Sequence, residues 1–245
     1  MDKNELLHIA ENLYEEIFLA NSYYSVVQQY RNLHDKYLDA FNVSPAFHRI
    51  ICRALTEATV VKTAKIYDVD NKSHNISSLI NSAIEYAECH REFSMVKNRK
   101  LSPEEECFYP KEVEATKFKC TSLGISYEYT IANISDCDIL KMYKKRLHSL
   151  IKIRNNLTQQ RNKIFVHNDK FTNFDYSELN KNNSINWSDI EALINFAFEF
   201  CQYYIALLTG VVKSNLAVNT YDLEKTLKMV HDNTNADGRP DHARL

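Results

Sequence analysis

The chain has 245 residues and a mass of 28.6 kDa, which suits one large domain or two small ones. Lysine and arginine number 30 against 32 aspartates and glutamates, so the formal net charge is −2. This balance excludes a generally basic nucleic-acid-binding protein but allows a local basic face. Only three glycines and four prolines are present, too few for the turns of a Rossmann fold, a P-loop enzyme or a β-sandwich. The composition therefore predicts an all-α protein.

The first half of the chain shows helical spacing of apolar residues. The pattern over about residues 3–40 predicts one long helix, or two helices in line, with this apolar face: Leu6, Ile9, Leu13, Ile17, Ala20, Tyr24 and Val27. Ser44 and Pro45 are a favourable N-cap and a favourable first helical residue, so they predict the start of the next helix. That helix should stop at the polar segment from Asp68. A further helix is expected over about residues 77–91.

Residues 95–134 lose this helical rhythm. Ile125, Tyr127, Tyr129 and Ile131 alternate with polar residues, which is typical of a short strand. The rest of the segment shows no regular pattern. We therefore interpret residues 95–134 as an insertion with little regular structure.

The second half returns to helices. A long helix is expected over about residues 136–165, and a capping box from Ser188 to Glu191 predicts another that ends at Gly210. A last helix should cover about residues 221–231. We assign residues 1–231 to one domain and expect the polar segment 232–245 to be a disordered tail.

No segment is expected to cross a membrane. The longest uncharged apolar stretch near the C-terminus, Phe200–Val212, is shorter than the roughly 20 residues that a bilayer requires. The N-terminal segment is acidic and amphipathic, unlike a signal peptide. The six cysteines form no CxxC pair, which favours reduced thiols. We expect a cytoplasmic protein.

The helix predicted over residues 136–165 carries two arginines on its apolar line. Arg154 and Arg161 occupy positions where the spacing predicts apolar side chains. A guanidinium on a core-facing line costs stability unless it meets a partner or a substrate. At the end of this helix the sequence clusters Arg161, Asn162, Lys163, His167 and Asp169. We single out this cluster as the candidate site.

These residues resemble a known family. Arg161-Asn162, followed after four residues by His167, fits the arginine-polar-histidine signature of the HEPN superfamily. The segments Phe47–Leu55, Ala64–Asp68 and Arg161–Asp169 look like the AbiU-type abortive-infection branch of that superfamily. The resemblance covers about residues 1–90 and 135–210. It implies an antiparallel helical bundle that dimerises and cleaves RNA without a metal or other cofactor.

The resemblance also implies roles for the clustered residues. Arg161 would hold the scissile phosphate, His167 would act as general base or acid, and Asn162 would orient a phosphate or the imidazole. Asp169 would fix the tautomer of the histidine. The helix that carries Arg161 is rich in lysine and arginine, so Arg154 and Lys163 are candidate RNA contacts, although a solvated basic face is the commoner explanation.

Two features bear on assembly and control. Six residues separate Arg161 from His167, which places them about 240° apart around an unbroken helix. Either the helix unwinds near Phe165 or the site is assembled from two subunits, and the resemblance favours a homodimer. In the relatives silenced by a nucleotidyltransferase antitoxin, a modified tyrosine follows the histidine by two residues. Here that position is Asp169, although a cognate antitoxin of another kind remains an expected partner.

Two functions follow from the sequence. The first is a metal-independent endoribonuclease, the toxin of a toxin–antitoxin or anti-phage system, that leaves 2′,3′-cyclic phosphate ends. The histidines show no metal-ligand spacing, which agrees with this chemistry. The alternative is a catalytically silent HEPN-like module that binds a protein or a nucleotide. Both share one fold, and fold alone does not decide function.

Overall fold

Helices dominate the computed structural model of the protein. It describes residues 1–68, 74–101, 107–108, 115–122, 125–166, 186–214 and 221–236. Within these ranges the helices are α1 Lys3–Leu33, α2 Leu38–Val43, α3 Pro45–Ile66, α4 Ile76–Cys89, α5 Arg91–Ser94, α6 Asp136–Ser149, α7 Ile151–Val166, α8 Trp187–Thr209 and α9 Tyr221–Ala236. The strands are β1 Lys97–Leu101, β2 Ala115–Ser122 and β3 Ile125–Ile134. The predicted helical fold is confirmed.

The core is built around α1 and α8, the two longest described helices. The predicted apolar face of α1 is largely buried, and α1 packs against α3, α4 and α8. The pattern over residues 3–40 resolves into two helices, because α1 ends at Leu33 and α2 begins at Leu38. Ser44 occupies the N-cap position of α3 as predicted, but its side chain makes no capping hydrogen bond.

The expected continuous helix over residues 136–165 is two helices. Leu150, with φ −86° and ψ 3°, separates α6 from α7. The Ser149 hydroxyl donates to the carbonyl of Arg146 at 2.7 Å, and such a local bond competes with the regular helical pattern. The two helices then take different neighbours, because α6 packs on α4 whereas α7 packs on α3.

The insertion is more regular than the sequence indicates. Its described residues form an antiparallel sheet in the order β1-β3-β2, with Lys97 opposite Ile134 and Ala115 opposite Ala132. The predicted strand is confirmed as part of β3, but the assignment of little regular structure was wrong. Leu101 and Ile134 are buried in the main core, which fastens the sheet to the helices.

The last described elements complete the core. The capping box of α8 is formed by Asn186 and Asp189, so the helix begins earlier than the predicted Ser188 cap. The helix ends as predicted at Gly210, whose φ of 74° favours glycine. The helix α9 extends to Ala236, five residues beyond the helix end predicted at about residue 231. The rest of the predicted tail, residues 237–245, lies outside the described residues.

One described helix, α8, is long and apolar enough by composition to cross a membrane. The uncharged apolar stretch found in the sequence, Phe200–Val212, is shorter than this helix because it is bounded by Glu199 and Lys213. More than half of the apolar window is buried inside the protein. Phe200, Cys201 and Leu193 are fully buried, and α8 packs along α1. These contacts are those of a core helix.

Candidate functional site

The helix α7 carries the described part of the predicted site. Leu157 is fully buried and Gln160 is nearly so, and together they fix the inner face of α7. Arg154, Arg161 and Asn162 lie on this helix with described side chains. Lys163 also lies in α7, but its side chain is outside the described set.

His167 and Asp169 lie outside the described residues, so their predicted roles stay predictions. The helix α7 is continuous through Val166. Unwinding near Phe165, the first of the two explanations for the angle between Arg161 and His167, is therefore not observed.

Arg161 is held by two neighbours. Its Nη1 forms an ion pair with the Asp68 carboxylate, while Nε and Nη2 donate to Oδ1 of Asn162 at 3.3 and 3.2 Å. The Arg161 side chain is 23% exposed and that of Asp68 is 32% exposed. The guanidinium is thus oriented by protein contacts and still reachable from solvent.

Asp68, the ion-pair partner of Arg161, is a residue of the candidate site that the sequence analysis did not assign. The sequence placed it in the segment resembling the family and at the stop of a helix, but gave it no role. It follows Tyr67, the C-cap of α3, and its amide donates to the carbonyl of Lys65 at 3.3 Å. In the sequence, the one indication that Asp68 could take part in a site was its position just beyond the end of a predicted helix.

Arg154 faces a different environment. Its Nη2 donates to Oγ of Ser77 at 3.1 Å, and its guanidinium carbon lies 5.5 Å from the centroid of the Tyr67 ring. Its Nε is buried and has no hydrogen-bond partner among the described residues. Burial lowers the pKa of Arg154, and the electrostatic interaction with Tyr67 acts in the opposite direction, but an arginine stays protonated near neutral pH.

The two arginines meet consecutive residues. Tyr67 lies under Arg154 and Asp68 pairs with Arg161, so the end of α3 positions both guanidinium groups of α7. Seven residues separate the arginines, which is about two helical turns and places them on the same face. The arginines on the predicted apolar line therefore face α3 and its C-terminal end.

No described group of three or more histidine, cysteine, aspartate or glutamate side chains could hold a metal ion. His167 and Asp169 are not among the residues searched. The chemistry of the described site is that of guanidinium groups, an amide and a carboxylate.

The fold is that of a HEPN-type helical protein. A model of the HEPN_AbiU2 family, described as AbiU2, matches residues 3–226. The chain therefore belongs to this family, and the resemblance found in the sequence is confirmed. No curated protein and no solved structure matches the chain. Membership is compatible with ribonuclease activity or a part in abortive infection, and does not by itself establish catalysis.

Proposed function

We propose that the protein is a metal-independent endoribonuclease, the toxin of a toxin–antitoxin or anti-phage abortive-infection system. One observation carries the proposal: in a member of the HEPN_AbiU2 family, Asp68 and Asn162 contact the partly exposed guanidinium of Arg161. Arg161 is the residue that the resemblance in the sequence assigns to the arginine of the signature. A planar guanidinium fork matches the oxygens of a phosphate.

The reaction uses the 2′-hydroxyl of RNA as nucleophile. Its oxygen attacks the adjacent phosphorus, the bond to the 5′-oxygen breaks, and a 2′,3′-cyclic phosphate forms. His167 takes the proton from the 2′-hydroxyl or delivers one to the departing 5′-oxygen. Arg161 stabilises the charge that develops on the phosphate oxygens. Asn162 orients the phosphate or the imidazole.

The remaining predicted residues support these roles. Asp169 fixes the tautomer of His167, and Lys163 and Arg154 contact the RNA. The family resemblance favours a site shared by two subunits, and α7 does not unwind before Val166. The active form is then a cytoplasmic homodimer that a cognate antitoxin silences.

One observation favours the alternative, a catalytically silent binding module. The Arg161 guanidinium already has a carboxylate partner, Asp68, and this is the arrangement of a structural arginine. In that function the pair fastens α7 to the end of α3, and no group of the site touches RNA.

The discriminating experiment is RNA cleavage by the purified full chain in the presence of EDTA, with the product ends identified. We expect cyclic phosphate or 3′-phosphate ends, and Arg161→Ala should lower the rate by about 10²–10³. Arg53→Ala is the matched control, because Arg53 also forms an ion pair, with Glu57 at 2.9 Å.

Strict dependence on Mg²⁺ or Mn²⁺ would show that a different chemistry operates. If Arg161→Ala is less stable than Arg53→Ala but equally active per folded molecule, Arg161 is structural and the binding module is the correct function. Circular dichroism and thermal unfolding of both variants separate these cases.

A further inference from the structure

A basic cavity lies where α4, α6 and α7 meet. Its volume is about 630 Å³, and its described lining includes five basic side chains: Lys141, Lys144, Lys145, His148 and Arg154. Ser77 and Asn81 add polar groups from α4, and no acidic residue belongs to the described lining. The cavity is therefore a concentrated positive surface on a chain whose overall charge is slightly negative.

Arg154 forms the inner wall and lacks a counter-ion. Among the described residues it forms no ion pair, and its closest polar contact is the neutral hydroxyl of Ser77. Its Nε is buried and has no acceptor within the part of the chain that the structure describes. A half-buried guanidinium without an ion pair is costly, so an anion in the cavity, close to the positive charge of Arg154, would be stabilised.

The three lysines that line the cavity differ in whether an acidic side chain neutralises them. Lys141 pairs with Glu88 at 2.8 Å. Lys144 and Lys145 are exposed and form no ion pair with any described residue. Two free ammonium groups at the mouth and one unpaired guanidinium at the wall match a group of charge −1 or −2 with several oxygens.

We propose that this cavity binds a backbone phosphate of the RNA, as a second anchoring site apart from the phosphate held at Arg161. The proposal rests on the proposed function for the identity of the ligand. Arg154 and Arg161 lie about 10.5 Å apart along the axis of α7. At about 3.4 Å per nucleotide of a stacked strand, the anchored phosphate is about three nucleotides from the cleaved bond.

The test measures binding without cleavage. A labelled RNA with a 2′-O-methyl group on every ribose cannot be cut, and its affinity is followed by fluorescence anisotropy over a range of salt concentrations. The test variant is Lys144→Gln/Lys145→Gln, which changes exposed side chains and should leave the fold intact. Lys152→Gln, an exposed lysine of α7 outside the cavity lining, is the control for charge.

We expect the double variant to weaken binding by about tenfold or more, as removal of charge-assisted hydrogen bonds does. The slope of log K against log salt should flatten by about 0.7 for each RNA phosphate that the variant no longer neutralises, whereas Lys152→Gln should barely change it. Arg154→Lys should weaken binding while thermal unfolding remains cooperative. Equal decreases in affinity for one cavity variant, Lys144→Gln, and for Lys152→Gln would overturn the proposal, because they indicate general charge attraction.

Inorganic phosphate, titrated by calorimetry, tests the source of the anion. If it binds the wild type and not the double variant, while RNA affinity is the same in both, the ligand is a free phosphate and the RNA assignment is overturned.

The binding test with methylated RNA does not depend on catalysis. A protein that binds the methylated RNA through this cavity but never cleaves unmodified RNA would refute the endoribonuclease and leave the phosphate site standing.

Discussion

The hydroxyl of Tyr67 donates to the backbone carbonyl of Leu193 at 2.6 Å, deep in the core. This bond joins the C-terminal end of α3 to α8, and burial raises the pKa of Tyr67 so that the hydroxyl keeps its proton. The next residue is Asp68, which holds Arg161. The end of α3 that contacts Arg161 is thus attached to α8, a helix with many buried residues.

Removing this hydroxyl should destabilise the protein. We expect Tyr67→Phe to lower the free energy of unfolding by about 1 kcal/mol, the typical net value of a hydrogen bond. Urea denaturation measures the change, and Tyr221→Phe is the control because Tyr221 is 80% exposed. Equal stability of the two variants would contradict the importance of the bond.

Asp68 should position Arg161. We expect Asp68→Asn to lower kcat for RNA cleavage by about tenfold or more, because small displacements of catalytic groups are costly. The affinity for uncleavable RNA should not fall, since the change removes a negative charge beside a phosphate site. Glu57→Gln, which breaks the ion pair with Arg53, is the control. A decrease in affinity with unchanged kcat would contradict a positioning role.

A shared site predicts complementation between inactive variants. Light scattering should give about twice 28.6 kDa for the wild type. Arg161→Ala and His167→Ala should each be inactive alone, but an equal mixture should recover about a quarter of the activity, because half the dimers are mixed and each has one intact site. A monomer at micromolar concentration, or a mixture without activity, would contradict assembly from two subunits.

The ion pairs of Glu16 should make the free energy of unfolding depend on pH. It lies 2.7 Å from Lys62 and 2.9 Å from Lys65. Burial acts to raise its pKa, but the hydrogen bonds and charges of the two lysines outweigh burial and lower it. A carboxyl with a lowered pKa stabilises the fold above its unfolded pKa, and this stabilisation is lost as the pH falls through the folded pKa.

We therefore expect Glu16→Gln to lower the free energy of unfolding at pH 7 by up to about 1 kcal/mol, as for a partly exposed ion pair. The difference from wild type should shrink as the pH falls through about 4. Glu85→Gln, a change at an exposed residue of α4, should show no such trend. A difference that persists unchanged to the acid end of the folded range would contradict the ionic origin.

Helix positions were largely predictable because their signals are local. Pro45 marks the start of α3 and Gly210 marks the end of α8, each through a backbone preference of its own. The break at Leu150 was not predictable from spacing, because the apolar line continues across it. On either side of the break, α6 and α7 pack on different helices. These contacts join residues far apart in the sequence, so local spacing does not reveal them.

The site was predictable in part for the same reason. Arg154 and Arg161 stood out because they interrupt an apolar line. Their partners Tyr67 and Asp68 lie 87 and 93 positions away in the sequence, and nothing local marks them as partners. The strands β1 and β2 escaped prediction because most of their described side chains are polar or charged, so they lack the alternation that β3 shows.

The charges on the outer strands of the sheet bear on its tendency to pair with other chains. With β3 in the middle, β1 and β2 are the outer strands and carry Lys97, Lys100, Lys117 and Lys119. An outer strand with free backbone groups is a template for pairing with another chain, and lysine is a common guard against it. Two copies joined through these strands would bring lysines against lysines. Repulsion between these like charges would oppose extension of the sheet into a fibre.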